Sequence, residues 1–522
     1  MPAGQPARPD AAQTLHGMIG RVMMAIDLTK PAKQVNFDTD TGYKPMLERL
    51  QANILASHGR NHGRHLFIRF TGAPAAVKAW IKTKVAPNVT TAAQQRQQSK
   101  DRAAAKTAGK TFDGGLVTGF FLSAAGYRAI GLDPTKLSSK GFRKGMKDRK
   151  NFEGPDLILG INLSLKNRDP EPAKWEAGFQ GEIHALLTLA DDDLARLRAR
   201  VDAAKAELAA GIGTVSHVQD GRVLRRPIPG SPGRFEPIEH FGYFDGLSQP
   251  IFTKPDLDDY DKDQGGPAKP GDWDPGASLG LVLADDPFTA DADAFGSYLV
   301  YRKLEQDYDM FAARVKALAA DVPISEELAG AYVVGRFKDG TPTSVRDTPS
   351  PGLETDNRFV HSTDKKGLKC PMHAHIRKAN PRGTTPATSP ADESARRVTR
   401  RGIPYGKPHP DLGCDPVEYE IDKAGPRGLV FMCFQANVEE HFEFIQRVWI
   451  DNNEFPKGTI PLIEGNTGDD PLIGQDLDEK QRWPKKWNNQ AAGTKKFNFE
   501  AAVTLKGGEY FFAPSLPFLA SL

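Results

Sequence analysis

Residues 183–208 read IHALLTLADDDLARLRARVDAAKAEL and place a predicted β-strand directly before a predicted helix. The run 183–189 is short and apolar, as in a buried strand. The residues that follow place apolar side chains at helical spacing. Three aspartates, at positions 191–193, favour the start of a helix, where carboxylates cap free N–H groups. This strand–helix unit is the feature that decides the predicted fold.

Three further stretches show the same arrangement of a strand followed within a few residues by a helix. In the last of the predicted helices, Phe442, Ile445 and Trp449 share one face. Two such units on one antiparallel sheet make a ferredoxin-like domain. Four units therefore predict an α+β protein with two tandem ferredoxin-like domains and antiparallel sheets. The three further stretches are residues 65–70 with 73–85, residues 297–303 with 305–320, and residues 428–436 with 438–452.

The predicted domains are residues 1–240, which include a polar N-terminal extension, and residues 241–522. Close to that boundary, residues 253–276 are rich in Asp, Gly and Pro and are predicted as a long surface loop. Residues 380–397 are predicted as a second such loop. Residues 88–112 are polar and rich in Gln, Ala and Lys. They are predicted as either a solvated helix or a mobile excursion.

The composition indicates a soluble globular protein without a nucleic-acid or membrane partner. The chain has 522 residues, of which 39% are hydrophobic and 26% charged, and its formal net charge is +3. That charge is close to neutral for the length, which argues against a polyanionic partner. Cys370, Cys414 and Cys433 are odd in number and too far apart for a disulfide framework, which suits a reducing compartment. Since no apolar run is long enough for a signal or membrane segment, a cytoplasmic protein is expected.

Residues 370–382, CPMHAHIRKANPR, gather candidate metal ligands. Side chains two residues apart, such as His373 and His375, share a face on a strand and oppose each other on a helix. A zinc site that also used Cys370 would lack the fourth ligand that structural zinc normally requires. Alternatively, a histidine binds heme iron while Arg382 holds the heme propionates bidentately. Ordinary polar roles for both histidines are the third interpretation, and this segment alone does not choose among the three.

Residues 240–250, HFGYFDGLSQP, set Asp245 among aromatic residues and between two glycines. One interpretation is a simple turn, since Asp-Gly pairs are common in turns. The other is a carboxylate presented as a proton acceptor by a backbone that glycine allows close to a flat ligand. Residues 396–406, RRVTRRGIPYG, are either a solvated basic face or a rigid turn that fixes one guanidinium group.

The chain resembles the dye-decolourising peroxidases, in the subfamily with longer chains. The resemblance is carried by the segments at 240–250, 370–382 and 396–406 and by residues 428–446, GLVFMCFQANVEEHFEFIQ. Residues 50–70, LQANILASHGRNHGRHLFIRF, resemble the opening strand of that family. DDPLIGQ at 469–475 and GGEYFFAPSLPFLASL at 507–522 resemble its ending. Several spaced motifs in the same order are a strong signal, and the resemblance covers nearly the whole chain.

The resemblance implies a heme b peroxidase that uses hydrogen peroxide to form a ferryl intermediate, which then oxidises dyes, phenolics or other one-electron donors. His375 matches the proximal ligand of the iron. Asp245 matches the distal aspartate, and Arg400, the first arginine of RRGIPYG, matches the distal arginine. The heme is implied to lie in the C-terminal domain. The other residues implied to bind the cofactor are Gln249, Arg382, Leu429, Phe431 and Asp470, of which Asp470 matches the carboxylate that accepts a hydrogen bond from the proximal imidazole.

Alternatives from other classes stay open at this point. A heme protein of the same fold would serve heme storage, sensing or chlorite-type chemistry. A non-heme metalloprotein would use Cys370, His373 and His375, and a structural or interaction module would bind neither heme nor peroxide. For the peroxidase, the expected partners are hydrogen peroxide and an aromatic or dye-like donor, and the chain is expected to be a monomer or a homodimer. His373 is expected to serve packing.

Overall fold

A computed structural model of the chain describes residues 26–150, 157–158, 161–162, 168–228, 231, 233–384, 390–414, 425–456, 467–474 and 481–522. The polar N-terminal start and Gln475, the last residue of the DDPLIGQ segment, lie outside the described residues. Among the described residues, no helix is long and apolar enough to cross a membrane.

The strands of the described residues are numbered β1 to β16 in chain order. They are β1 His62–Phe70, β2 Val117–Leu122, β3 Leu157–Ile158, β4 Ile161–Asn162, β5 Ala185–Asp191, β6 Gly213–Arg222, β7 Leu224–Pro227, β8 Phe235–Ile238, β9 Ala284–Asp285, β10 Phe295–Gln306, β11 Thr399–Arg400, β12 Ile403–Tyr405, β13 Gly428–Gln435, β14 Gln481–Pro484, β15 Thr494–Phe497 and β16 Val503–Ala513.

The α-helices of the described residues are numbered in the same way. They are α1 Lys44–Arg49, α2 Pro74–Trp80, α3 Ala92–Thr107, α4 Ala124–Ala129, α5 Lys140–Lys144, α6 Ala177–Gln180, α7 Leu194–Ala209, α8 Lys254–Asp263, α9 Tyr308–Asp321, α10 Glu326–Val334, α11 His375–Ala379, α12 Pro390–Ala395 and α13 Leu516–Ser521.

Helices of other types complete the structure of the described residues. The π-helices are Ile81–Val85, Glu439–Glu443 and Ile445–Ile450. The 3₁₀-helices are Ala32–Gln34, Thr41–Tyr43, Ala86–Asn88, Pro134–Lys136, Met146–Lys150, Pro172–Lys174, Leu279–Leu281, Pro410–Leu412 and Gln490–Ala492.

One ten-stranded sheet forms the centre of the molecule, in the order β11-β13-β10-β16-β2-β5-β1-β6, with β12 also paired to β13 and β9 to β10. Its two halves repeat one topology. One half is β2-β5-β1-β6 and the other is β11-β13-β10-β16. Read across the sheet, each half consists of its second, third, first and fourth strand in chain order. All these neighbouring strands are antiparallel. This is the ferredoxin-like order, so the predicted α+β fold is confirmed.

The halves meet where Phe512 of β16 pairs with Leu122 of β2. This junction turns two predicted sheets into one continuous sheet, which the sequence analysis did not anticipate. The division of the chain at residue 240 stays a prediction.

All four predicted strand–helix units are present among the described residues. β1 leads into α2, β5 into α7, and β10 into α9. The fourth unit differs, because β13 leads into two π-helices where a regular helix was predicted. Phe442, Ile445 and Trp449 are nevertheless all buried, as their spacing predicted. π-Helical turns are rare and often occur at functional sites.

The two loop predictions were wrong in part. Residues 253–276 contain α8, which begins where the Thr253 hydroxyl accepts the Asp256 N–H. Residues 380–397 contain α12. For residues 88–112 the helical alternative is confirmed, since α3 begins with a reciprocal capping box between Thr91 and Gln94. In α8 and α3 a polar composition concealed a helix whose start is set by a hydroxyl cap.

Buried neutral histidines are expected to make this fold sensitive to acid. Burial lowers the pKa of His65, His240 and His441 to about 4, and that of His373 to about 3. Below about pH 6.5 the unfolded chain takes up protons on these groups, whereas the folded chain does not until about pH 4 or 3. The free energy of unfolding should therefore fall by on the order of 1–3 kcal/mol per histidine between pH 6.5 and 4.

Thermal unfolding followed by circular dichroism at pH 7, 5.5 and 4.5 checks this expectation. The unfolding temperature should fall at each step, and the fall should be smaller in His373→Gln, which has lost one of the four groups. A midpoint that stays constant or rises between pH 7 and 4.5 would contradict it.

Candidate active site

A cavity of about 290 Å³ lies against the second half of the sheet. Its floor is formed by alternate residues of two neighbouring strands, Leu429 and Phe431 of β13 and Arg302, Leu304 and Gln306 of β10. Alternate side chains on a strand point to one face, so the pleat of the sheet explains this selection. Leu429 and Phe431, both named from the family resemblance, thus line the cavity.

His375 is the first residue of the short helix α11 and lines the cavity. Its Nδ1 lies 2.8 Å from Oδ2 of Asp470. Because a carboxylate only accepts hydrogen bonds, Nδ1 carries the proton and Nε2 carries the lone pair that can bind a metal. Asp470 is itself buried and held, since its Oδ1 accepts the N–H groups of Leu472 and Ile473. The histidine is therefore fixed in one tautomer and one ring orientation.

Lys378, which follows His375 in α11, is a buried cation that the sequence analysis missed. Its Nζ donates to the carbonyl oxygens of Asn452 and Phe455, at 2.7 and 2.8 Å. Burial lowers the pKa of Lys378 to about 8, against the opposing effect of nearby carboxylates that include Asp470. The ammonium group thus lies close enough to the His375–Asp470 pair to offset part of its negative charge.

Asp245 lines the same cavity from the loop that follows β8. Gly242 and Gly246, on either side of it, have φ angles of +87° and +85°, which favour glycine. The loop is anchored where Phe241 stacks on Phe311 of α9, with ring centroids 4.2 Å apart. Both interpretations of this segment are therefore compatible with the structure, because a tight turn presents the carboxylate to the cavity.

The two adjacent arginines of RRGIPYG point in different directions. Arg400 lines the cavity, and its Nη2 donates to the carbonyl oxygen of Ser248 at 2.9 Å. Gln249 accepts the N–H of Arg400 through Oε1 at 3.0 Å, so this cavity residue also positions the arginine. Arg401 instead reaches the N-terminal half, where it donates to the carbonyl oxygens of Asn53 and Ile54. Arg400 is the one that faces the cavity.

Arg382 is held by stacking and by hydrogen bonds to uncharged groups. Its guanidinium carbon lies 3.9 Å from the ring centroid of Trp273 and 4.3 Å from that of Phe359. Its Nη2 donates to the side chains of Asn357 and Ser248. Burial lowers the pKa of Arg382 well below its ordinary value, which shows how unfavourable the uncompensated charge is at this place.

Four guanidinium groups in the cavity wall lack an acidic partner within the part of the chain that the structure describes: those of Arg336, Arg382, Arg397 and Arg400. Burial lowers the pKa of Arg336 and of Arg397 to about 10. Arg302, in the same wall, differs because it forms a buried ion pair with Asp169 at 2.6 Å. Unpaired buried cations are costly. The wall is therefore suited to a ligand that carries carboxylates.

The zinc interpretation of Cys370, His373 and His375 is not supported. Across the residues that the structure describes, no group of three or more His, Cys, Asp or Glu side chains is arranged to hold a metal ion. His373 is buried, contacts the carbonyl oxygen of Thr467 through Nδ1 at 3.0 Å, and packs edge-on against Trp483. Its role in packing agrees with the expectation from the sequence.

The structure brings the predicted site residues together. The ones that line the cavity are Asp245, Gln249, His375, Arg382, Arg400, Leu429 and Phe431, and Asp470 lies behind His375. Sequence analysis missed Arg336, Arg397 and Trp273 of the wall. Arg397 belongs to a quoted basic segment and could have been found there, whereas Arg336 lies in a stretch without a distinguishing pattern.

Comparisons with known proteins find similar chains, although no family model matches this one. The multifunctional dye peroxidase DyP2 of Amycolatopsis sp. is 35% identical over 491 residues, which cover 91% of this chain and 96% of the relative. The dye-decolorizing peroxidase msp1 of Mycetinis scorodonius is 31% identical over 418 residues, 74% of each chain.

Two solved structures superpose over nearly the whole chain. The DyP-type peroxidase of Anabaena sp. matches with a TM-score of 0.80 and 37% identity, over 95% of this chain and 98% of its own. The structure of DyP2 from Amycolatopsis sp. matches with a TM-score of 0.81 and 33% identity, over 95% of this chain and 100% of its own.

Proposed function

This chain belongs to the dye-decolourising peroxidase family, and from that membership we propose that its cavity is the heme site of a hydrogen-peroxide-dependent oxidoreductase. The observation that carries the proposal is the pairing of His375, whose Nδ1 is held by Asp470, with a wall of unpaired arginines. A histidine fixed in this way is a common axial ligand of heme iron, and arginines bind carboxylates such as the heme propionates well.

The residues present fit heme b. His375 would bind the iron through Nε2, and Arg382 would meet a propionate with help from the neighbouring guanidinium groups. None of the three cysteines of the chain lines the cavity, which supports a heme held without covalent bonds to the protein. Leu429 and Phe431 lie on the same face of β13, where they would provide apolar contact for a porphyrin ring.

Bound there, the heme supplies the iron at which peroxide is activated and the oxidising equivalents that electron donors consume. The protein contributes proton transfer and electrostatic stabilisation. Asp245, when ionised, accepts the proton of one peroxide oxygen and returns it to the other oxygen, which leaves as water. Arg400 stabilises the negative charge that builds up on the peroxide during this transfer. Asp470 orients His375 and makes its imidazole a stronger ligand.

The substrates follow as proposals from this assignment. They are hydrogen peroxide and an aromatic or dye-like one-electron donor, in keeping with the dye peroxidases that this chain resembles. A passive heme carrier or sensor needs no proton acceptor and cation in its cavity, so Asp245 and Arg400 favour the peroxidase. A cytoplasmic location, a monomeric or homodimeric state and the lack of a nucleic-acid partner stay predictions of the sequence.

Heme binding is expected to give the purified protein a Soret band and to stabilise the fold. A ligand present at 100 times its dissociation constant adds about 2.7 kcal/mol to the free energy of unfolding. Removal of heme should therefore lower the unfolding temperature, and re-addition should restore it. Absorption spectra and thermal unfolding of the heme-free and heme-loaded protein test this, with heme-loaded Arg382→Gln expected to be stabilised less. A colourless protein that heme does not stabilise would refute the proposal.

A further inference from the structure

A second carboxylate, that of Glu239, lines the cavity from the turn that leads to Asp245. Its carboxylate accepts the backbone N–H groups of Phe241 and Tyr243, each at 2.9 Å. The backbone of the turn closes on the same residue, since Gly242 N–H donates to its carbonyl oxygen at 2.9 Å. Glu239 and Asp245 are thus joined by one short, tightly bonded loop.

Gln306, the last residue of β10, connects this carboxylate to the cavity floor. Its Nε2 donates to Oε2 of Glu239 at 2.5 Å. Its Oε1 is buried, and among the described residues it has no hydrogen-bond partner. Buried amide oxygens are rarely left without a donor, and ordered water can supply one where polar side chains meet a cavity. The pair Glu239–Gln306 is therefore arranged to hold water in the cavity.

Glu239 forms no ion pair among the residues described, although charged groups surround it. Arg226, which is paired with Glu236, donates to the carbonyl oxygen of Gly242. The negative charges of Glu239 and Glu327 each act to raise the pKa of Lys338 and the pKa of Tyr243. Burial raises the pKa of Glu239 to about 6. The hydrogen bonds from Phe241, Tyr243 and Gln306 oppose this rise, and the negative charge of Asp245 contributes to it.

We infer that Glu239 is a second proton-exchanging group of this cavity, which passes protons to Asp245 through water held at Gln306. This inference rests on the proposed peroxidase function. In that reaction one hydrogen peroxide and two donor molecules AH yield two water molecules and two donor radicals. Two of the four hydrogens in the product water come from the donors, so two protons must reach the cavity in each turnover. Glu239 lies on the cavity wall where it can store and deliver them.

A purely structural role for Glu239, as the acceptor that ties the loop together, makes a different prediction. In that case its replacement by Gln would change stability without changing the pH profile of kcat. The test therefore uses heme-loaded Glu239→Gln and a matched control, Glu305→Gln. Glu305 neighbours Gln306 on β10 but points to the opposite face, where it lies 3.6 Å from Lys506.

The first measurement is independent of turnover. Infrared difference spectra between pH 5 and 7.5 should contain a protonated-carboxyl band that disappears with a midpoint near pH 6 in the wild type and in Glu305→Gln. That band should be missing in Glu239→Gln. Its persistence in Glu239→Gln would overturn the inference.

The second measurement is the pH profile of kcat for a one-electron donor. The wild type and Glu305→Gln should lose rate above about pH 6, as Glu239 loses the proton that it supplies. Glu239→Gln should lack this inflection and should turn over about tenfold or more slowly at pH 5. A profile identical to that of the wild type would overturn the inference alone, whereas a wild type without any turnover would overturn the proposed function.

Gln306→Leu provides a second variant in case Glu239→Gln does not fold. It keeps the carboxylate but removes the hydrogen bond that stabilises its charged form, so the midpoint of the infrared carboxyl band should move to higher pH. It also removes the amide that holds the water, so turnover at pH 5 should fall. An infrared midpoint and a turnover rate that both stay unchanged in Gln306→Leu would overturn the inference.

Discussion

Replacing Asp245 by Asn is expected to slow the reaction of the heme-loaded protein with hydrogen peroxide by about 10²- to 10⁴-fold, the range typical of a lost general base. The amide has nearly the shape of the carboxylate but cannot accept the peroxide proton. The loop should keep its form in both proteins, because the Asn oxygen can still accept the Gly246 N–H that Oδ1 of Asp245 accepts at 2.7 Å. The second-order rate constant of the spectral change that peroxide induces measures the loss.

Two comparisons make this result specific. Asp263→Asn changes the same chemical group at an exposed site at the end of α8 and should react like the wild type. Arg400→Leu removes the cation of the same cavity and should cost about 10²- to 10³-fold. An Asp245→Asn protein that reacts within about twofold of the wild type would show that another group takes the proton, and Glu239 is the other carboxylate that lines the cavity.

Replacing His375 by Ala is expected to remove the tight binding of heme altogether. Loss of a group that only supports a metal ligand, as in Asp470→Asn, typically costs about 10- to 100-fold in affinity. Loss of the ligand itself should cost more than that. Titration of the heme-free proteins with heme, followed at the Soret band, gives the affinities. Added imidazole should restore a ligated spectrum to His375→Ala, because it can occupy the space left by the side chain.

His373→Ala is the matched control for this experiment. It removes a histidine two residues away that packs against Trp483 and does not line the cavity. It should lower the unfolding temperature, since it leaves a hole beside a buried ring, and it should leave heme affinity within a few-fold of the wild type. Equal heme affinity of His375→Ala and the wild type would remove His375 as the ligand.

Much of the fold could be predicted because strand and helix periods are local. The apolar run and capping aspartates of residues 183–208 suffice to indicate β5 and α7, whatever surrounds them. The fourth unit shows the limit of such patterns. Phe442, Ile445 and Trp449 predicted the buried face correctly, but their spacing did not indicate the π-helical form of the segment, from which Phe442 and Ile445 line the cavity.

The candidate site, too, was predicted from the sequence only in part. Types and spacing of residues, with the family resemblance, singled out Asp245, His375 and Arg400. The resemblance favoured Arg400 over Arg401, and the packing of the two halves supplies the physical reason, because Arg401 binds the carbonyl oxygens of Asn53 and Ile54 almost 350 residues earlier in the chain. Arg336 and Glu239 also join the site only through tertiary contacts.

The sequence by itself determined the four strand–helix units, the antiparallel α+β class and the chemical groups available to the site. Only the tertiary structure decided that two sheets join at Phe512 and Leu122, and that four arginines face one cavity without an acidic partner among the described residues. The physical reason is the distance along the chain over which the deciding interactions act. A strand or helix is specified by side chains within a few residues, whereas the charge balance of a cavity depends on groups that are distant in sequence, such as Asp245 and Arg400.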